Sequence, residues 1–313
     1  MTTVSICITT YNHEPFIAQA LDSVLAQQFS DPIEIIVSDD YSADRTAEIV
    51  RQYAEKYADK LILTYPPTRE KLIIDGHTTG RINYLHALGH CRGKYIALLD
   101  GDDYWTDPLK LRRQIDFLEQ NPDFSVIFHN VYCVQNEQVI RKYLDAVPEE
   151  SMLDAQMIYQ NLIPTCSVVF RNNLPETFPE IFYRTKFGDW PLHIYNLNYG
   201  RIAYLDEISA AYRLGSGIWS GQQMLDRLNA NLAFYKTVET LVPARLRHHI
   251  ACASSYQHLL IFSEHVKSMR WGAAMRALLN GLRPLCLFNA SFRSLLKPIL
   301  RRRLARVGVS GTL

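Results

Sequence analysis

Apolar residues fall in short blocks through the first hundred positions and at helical spacing after about residue 220. Residues 4–9, 33–37, 61–63 and 95–99 are brief runs rich in Val, Ile and Leu, and each reads as a buried strand. Between the first two, Phe16, Ile17, Ala20, Leu21, Val24 and Leu25 recur at steps of three and four. That spacing predicts a helix over 14–27, with Pro15 in its first turn. Ser42 is placed to cap a helix over 43–57, and 81–90 predicts a third. Strand and helix alternating in this way imply βαβ units, hence an α/β fold around a mostly parallel sheet.

The second half is less regular. Helices are expected over 108–119, from near Ser151, and from Gly188 to Gly200. Strands are expected over 124–134, 166–170, at Tyr204 and over 210–213. Beyond that the pattern turns wholly helical, through Leu225, Leu228, Leu232 and Phe234 and then over 246–266. The expected organisation is an α/β domain over 1–220 and a helical extension over 221–313.

The strand ends carry the chemistry. In open α/β sheets ligands bind beyond the carboxyl ends of the strands. The first run ends in Thr9-Thr10-Tyr11-Asn12, the second in Ser38-Asp39-Asp40, and the fourth in Asp100-Gly101-Asp102-Asp103. Parallel topology would gather all three on one edge. Three carboxylates around one glycine repel each other, and burial raises that cost. A hard divalent cation with a phosphate ligand would relieve it, and oxygen-only ligands favour Mg²⁺ or Mn²⁺ over zinc. The plainer alternative is a polar loop capping the next helix, although Asp107 can do that alone.

Other candidates have two readings each. Asp39 and Asp40 suit an Asx-turn or a helix cap, or could accept hydrogen bonds from a nucleobase N–H or a ribose hydroxyl. Thr9 and Tyr11 could line that pocket, Tyr11 by stacking. Asp189, before Trp190-Pro191, is a natural helix N-cap and equally a general base, with Trp190 excluding water. The histidines share no metal-ligand spacing, and neither a nucleophile elbow nor a P-loop is present. Gly215-Ser216-Gly217 reads as a loop.

Net charge is +1, which gives no global signal for nucleic acid. The distribution is lopsided, because no Asp or Glu follows Glu264 while ten Lys and Arg do. The segment 293–303 interleaves Arg and Lys with Leu and Ile, as does a helix lying on an anionic membrane face; a solvated or dimer-packing helical subdomain has the same composition. Six dispersed cysteines without a C-x-x-C pair read as buried reduced thiols. No signal peptide and no spanning helix is read, which places the expected catalytic part in the cytoplasm, peripheral to the membrane if the tail binds it.

Taken in order, residues 4–14, 34–46, 93–105, 188–190 and 211–213 resemble the family-2 glycosyltransferases of the GT-A fold. The resemblance covers roughly 1–220. It implies that Thr9, Tyr11 and Asp39 hold the nucleoside of a nucleotide-diphosphate sugar, with Asp40 beside them. Asp100-Gly101-Asp102 matches the family's D-x-D motif, so Asp102 would bind Mn²⁺ or Mg²⁺ and Asp100 would face the ribose or the metal's water shell. Asp103 would support the loop, and Asp189 matches the catalytic base of an inverting transfer. Two departures are visible. Many relatives carry a His shortly after the Tyr-Arg pair, where this chain has none, so Arg213 or a backbone nest would substitute, or the loop is rearranged. Relatives have Arg-Asn before the fourth strand, where this chain has Arg81-Ile82-Asn83.

The implied activity is sugar transfer from a nucleotide-linked donor, most naturally UDP-linked, to a glycan or lipid-linked glycan in surface polysaccharide or lipopolysaccharide synthesis. Two rivals are a sugar-nucleotidyltransferase, which would need a Gly- and Lys-rich phosphate loop that residues 9–20 lack, and a nucleotide-sugar-binding protein without transfer activity. A homodimer is compatible with either reading of the tail.

Overall fold

The computed structural model describes residues 3–74, 76–215 and 223–281. The elements run β1 Val4–Thr10, α1 Ile17–Leu25, β2 Ile33–Asp39, α2 Thr46–Lys56, β3 Leu61–Thr64, β4 Leu72–Ile74, β5 His77–Thr79, α3 Arg81–His90 and β6 Tyr95–Asp100. Then follow β7 Tyr104–Trp105, α4 Lys110–Gln120, β8 Phe124–Gln135, β9 Gln138–Lys142, α5 Leu153–Tyr159 and β10 Val169–Arg171. The last are α6 Ile181–Arg184, α7 Trp190–Asn196, β11 Arg201–Arg213, α8 Met224–Val238, α9 His248–Lys267 and α10 Trp271–Gly281.

These residues form two units, one of 3–153 with 161–215 and one of 154–160 with 223–281. The first is built on a mixed sheet of order β3-β2-β1-β6-β10-β8-β11-β7, with β9 on the side of β8. The strands β3, β2, β1 and β6 are parallel, as their alternation with helices requires. The short β10 then runs antiparallel to both β6 and β8, and β11 is parallel to β8. Apolar residues of β1, β2 and β6 are fully or nearly fully buried, and Ile17, Ala20, Leu21 and Val24 of α1 pack into the same core.

Local chemistry moves two expected boundaries. Ser42 does not cap α2, because its hydroxyl donates to Asp39 Oδ2 at 2.5 Å. Asp44 Oδ1 instead accepts the Thr46 N–H at 3.0 Å, and the helix starts there. The expected strand 166–170 opens with a 3₁₀ turn, Thr165–Ser167, which delays β10 to Val169. The hairpins of β4 with β5 and β8 with β9 were not foreseen. Cys7, Cys91, Cys133, Cys166 and Cys252 are buried free thiols.

The second unit is helical and takes α5 from the middle of the chain. Tyr235 donates its hydroxyl to the Tyr159 carbonyl at 2.8 Å, the Tyr159 hydroxyl meets His249 Nδ1 at 3.2 Å, and Arg245 pairs with Asp154 at 3.0 Å. Against α9, α10 presents Ala274, Ala277 and Gly281, and a Cβ on Gly281 would sit 3.2 Å from the Leu259 side chain. Among the described residues no helix is long and apolar enough to cross a membrane. The basic segment 293–303, Cys286 and the loop residues Ser216 and Gly217 lie outside the described residues.

Candidate active site

Register brings the strand ends together. Thr9 of β1 lies opposite Asp100 of β6, and Thr10 lies opposite Asp39 of β2. The Thr9 hydroxyl donates to Asp100 Oδ1 at 2.9 Å. The backbone extends the same edge, because Asp40 N–H donates to the Thr10 carbonyl and Gly101 N–H to the Thr9 carbonyl, both at 2.9 Å. Gly101 is needed for close approach: a Cβ there would stand 2.8 Å from Thr10 Oγ1 and 2.9 Å from His13 Nδ1.

The carboxylates at this edge differ in surroundings. Burial, then repulsion by Asp102 and Asp189, pushes the Asp100 carboxyl up to about 7. Burial also pushes Asp103 up, with Asp102 and Asp100 adding to the rise. Asp102 is 8% exposed. Among the described residues no Lys or Arg side chain forms an ion pair with Asp100, Asp102 or Asp103. No group of three or more His, Cys, Asp or Glu side chains there is arranged to hold a metal ion. The three carboxylates offer hard oxygen donors without a paired cation, and the His13 ring lies beside Gly101, close enough to feel the charge of Asp102. A divalent cation fits that chemistry if part of its coordination comes from a ligand.

Arg213 secures the loop from behind. Pairing of β11 with β7 places it there, its N–H donating to Asp103 Oδ1 at 2.8 Å. Its guanidinium donates to the Asp102 carbonyl and to Gln19, and pairs with Glu137 at 3.0 Å. The faces of Phe16 and Tyr104 lie 4.7 and 4.8 Å from it. Arg213 thus reaches Asp102 through its backbone and not its carboxylate.

On the other side, the fully buried Asp39 accepts the Ser42 N–H at 2.9 Å, the turn geometry expected of an Asp after a strand. Beside it is a cavity of about 330 Å³ lined by Asp39, Tyr41, Ser42, Ala47, Tyr65 and Arg69. Tyr41 stacks on Tyr65 with centroids 5.6 Å apart, and Arg69 lies 4.5 Å over the Tyr41 ring. Asp40 forms an ion pair with Lys71, whose ammonium also lies 4.5 Å over the half-exposed Tyr11 ring. Burial raises the Asp40 carboxyl, and Lys71 opposes that rise.

Asp189 stands at the entrance of α7. One oxygen accepts the Trp190 N–H at 2.8 Å, as the cap reading requires. The other accepts from Asn161 Nδ2 at 2.9 Å. The Asn161 amide is oriented by the Ile163 N–H, which donates to its Oδ1 at 3.2 Å. Arg81 is buried and donates to the carbonyls of Thr185 and Gly188, at 2.9 and 3.3 Å, so it holds the loop leading to Asp189. Burial lowers its guanidinium to about 10, while the charge of Asp189 opposes that fall. Trp190 is only 2% exposed and packs edge-on against Phe187.

Of the residues singled out by sequence, Thr9, Asp39, Asp100, Asp102 and Asp103 share one sheet edge. Asp189 is within electrostatic reach of Asp100. Sequence reasoning missed Asn161, Lys71, Tyr41, Tyr65 and Arg69. Only the left-handed backbone of Tyr41, at φ 60°, leaves a local signature, and no sequence pattern announces it.

The parallel strands end in a polar, carboxylate-rich edge, which is where open α/β sheets bind their ligands. The model of "Glycosyl transferase family 2" matches residues 5–176, so the chain belongs to that family. An uncharacterized Mycobacterium tuberculosis protein is 35% identical over 219 residues, 69% of this chain and 60% of that protein. The Escherichia coli UDP-Glc:alpha-D-GlcNAc-diphosphoundecaprenol beta-1,3-glucosyltransferase WfaP is 32% identical over 170 residues, 54% of this chain and again 60% of its own. The chain therefore spans about 60% of the length of these relatives. Among solved structures, Staphylococcus aureus TarS 1–349 with UDP-GlcNAc superposes with TM-score 0.60 at 20% identity, covering 90% of this chain and 80% of TarS. The Pyrobaculum calidifontis mannosyltransferase PcManGT with GDP-Man and Mn²⁺ gives 0.57 at 18%, covering 96% and 80%. Both show the fold expected from the resemblance.

Proposed function

We propose that the chain is an inverting glycosyltransferase that moves a sugar from a nucleotide-diphosphate donor to an acceptor hydroxyl. The observation that carries this reading is the strand register: Thr9 on Asp100 and Thr10 on Asp39, with Asp189 near enough to act on Asp100 electrostatically. The cavity beside Asp39 takes the nucleobase, with Asp39 facing the base, the Tyr41–Tyr65 stack and Arg69 as its far wall, and Thr9 and Tyr11 holding the rest of the nucleoside. WfaP by its name uses UDP-Glc, and TarS was solved with UDP-GlcNAc, which favours a UDP-linked donor.

Asp102 would hold Mn²⁺ or Mg²⁺, with Asp100 on the ribose side; PcManGT was solved with Mn²⁺. Such a cation supplies Lewis-acid stabilisation of the departing diphosphate. Asp189 accepts the proton of the attacking acceptor hydroxyl as the bond to the anomeric carbon forms. The bond from that carbon to the diphosphate oxygen breaks on the opposite face, so the configuration inverts. One base opposite the leaving group suffices. Asn161 and the Trp190 N–H hold both carboxylate oxygens, which fixes the direction from which the proton is taken. The acceptor is read as a glycan or lipid-linked glycan of a surface polysaccharide, met at the cytoplasmic face of the membrane.

A thermal-shift screen tests the donor class. UDP-sugars with Mn²⁺ should raise the melting temperature progressively as their concentration exceeds Kd, and the shift should shrink without metal. No shift with any nucleotide sugar would overturn the reading, whereas a shift without turnover would leave a binding protein.

A further inference from the structure

We propose that α10 is the element that seats this protein on an anionic lipid bilayer, through an exposed stripe of Trp271, Met275 and Leu279. This deepens the membrane part of the function proposed above and rests on it. These side chains are 66%, 56% and 66% exposed, and Met269, in the turn before them, is 73% exposed. Single exposed apolar residues are ordinary, but three large ones in register on one helix are not.

The stripe is set by the sequence of the opposite face. At 100° per residue, positions 271, 275 and 279 cover about 80° of the helix circumference. The small residues Ala274, Ala277 and Gly281 form the buried seam on another side. That seam has no room for larger groups, since Gly281 already has the Leu259 side chain and the Ser255 carbonyl 3.2 Å from where a Cβ would stand. Rotating α10 to bury Trp271, Met275 and Leu279 would drive them into this contact. The large side chains must therefore face outward.

Charge selects the occupant. Arg276 lies about 60° beyond Leu279 on the same helix, and Arg270 and Lys267 precede it in the connecting turn and the end of α9. All three are exposed. No Asp or Glu follows Glu264 anywhere in the chain. Lys267 is paired with Glu264 at 2.8 Å, which leaves Arg270 and Arg276 as the cations beside the stripe, and an apolar stripe containing a Trp and flanked by them matches the boundary between anionic headgroups and acyl chains. A protein partner would have to bring acidic groups around an apolar groove, whereas a bilayer with anionic lipid offers both at once. The connecting turn supports the arrangement. Met269 adopts the left-handed region at φ 54° in this tight turn and is itself an exposed apolar residue two positions before Trp271.

The test uses the full chain with vesicles of zwitterionic lipid alone or with added phosphatidylglycerol, some carrying brominated acyl chains. Trp105 and Trp190 are buried, so Trp271 is the exposed reporter among the described residues. The chain should sediment with anionic vesicles and bind zwitterionic ones on the order of tenfold or more weakly. Brominated chains should quench its fluorescence, and Trp271→Phe should remove that quenching while keeping most of the binding. Met275→Ser with Leu279→Ser should weaken partitioning on the order of tenfold and leave donor-dependent thermal shifts unchanged.

Three results would each overturn the proposal. One is no sedimentation. Another is sedimentation without quenching that depends on Trp271, which would assign the contact to other residues such as the basic segment after 281. The third is a dimer in sedimentation equilibrium that the Met275 and Leu279 substitutions dissociate, which would make the stripe an interface between copies. Because donor binding is read separately, loss of vesicle binding with donor binding intact refutes the seat alone. Loss of donor binding in the parent chain refutes the proposed function.

Discussion

Asp189→Asn leaves donor affinity intact and lowers sugar transfer by ~10²–10⁴-fold, the range expected for removal of a general base. Asparagine can still accept the Trp190 N–H through its side-chain oxygen but turns an NH2 toward Asn161 and loses that bond, so the fold should be kept with a modest fall in melting temperature. The pairing of unchanged donor binding, by calorimetry, with collapsed turnover separates base from cap. Turnover close to the parent's would show that Asp189 is only structural. The same assay grades Asn161→Ala. Losing one of the two hydrogen bonds to the carboxylate frees its orientation but keeps its basic oxygen, so a loss of roughly tenfold is expected.

Asp102→Ala should abolish the Mn²⁺-dependent part of donor binding, and retained metal dependence in calorimetry would remove Asp102 as the ligand. This effect is large because the neighbouring acids cannot replace it. Asp103 is buried, held by the Arg213 N–H through one oxygen and pushed up by burial so that it resists ionising, and Asp100 accepts the Thr9 hydroxyl. pH gives a second readout. The Asp100 carboxyl is raised to about 7 by burial and its acidic neighbours, against an ordinary value of about 4. Between those values the folded chain keeps a proton that the unfolded chain has released. Stability without metal should therefore fall as pH rises through that window. A cation would displace the same proton, so stabilisation by Mn²⁺ should be greater at pH 8 than at pH 6. In Asp102→Ala that pH-dependent gain should disappear.

Much of the sheet edge was legible because apolar runs stop abruptly at polar clusters, and parallel pairing then leaves few ways to arrange their ends. Thr9, Asp39 and Asp100 follow directly from that logic. Asn161 does not, because it sits in an irregular segment between α5 and β10, where no periodicity constrains it. Lys71 was hidden for a similar reason: β4 and β5 are three residues each, too short to carry an alternation. Arg81 was visible as a departure from the family's pattern, yet its work for the loop before Asp189 depends on contacts more than a hundred positions away. The start of α2 was misplaced because Asp39 competes for Ser42, a preference that local capping rules do not include.

The helix α5 lies between stretches of the first unit in sequence but belongs to the second. During synthesis it emerges well before α8 and α9, which supply Tyr235 and His249, its partners. At ~5–20 residues per second that wait lasts seconds, longer than a small domain usually needs to fold. The ribosome thus releases the later strands of the sheet before α5 can meet these partners. For that interval Tyr159 lacks the contacts that Tyr235 and His249 later make.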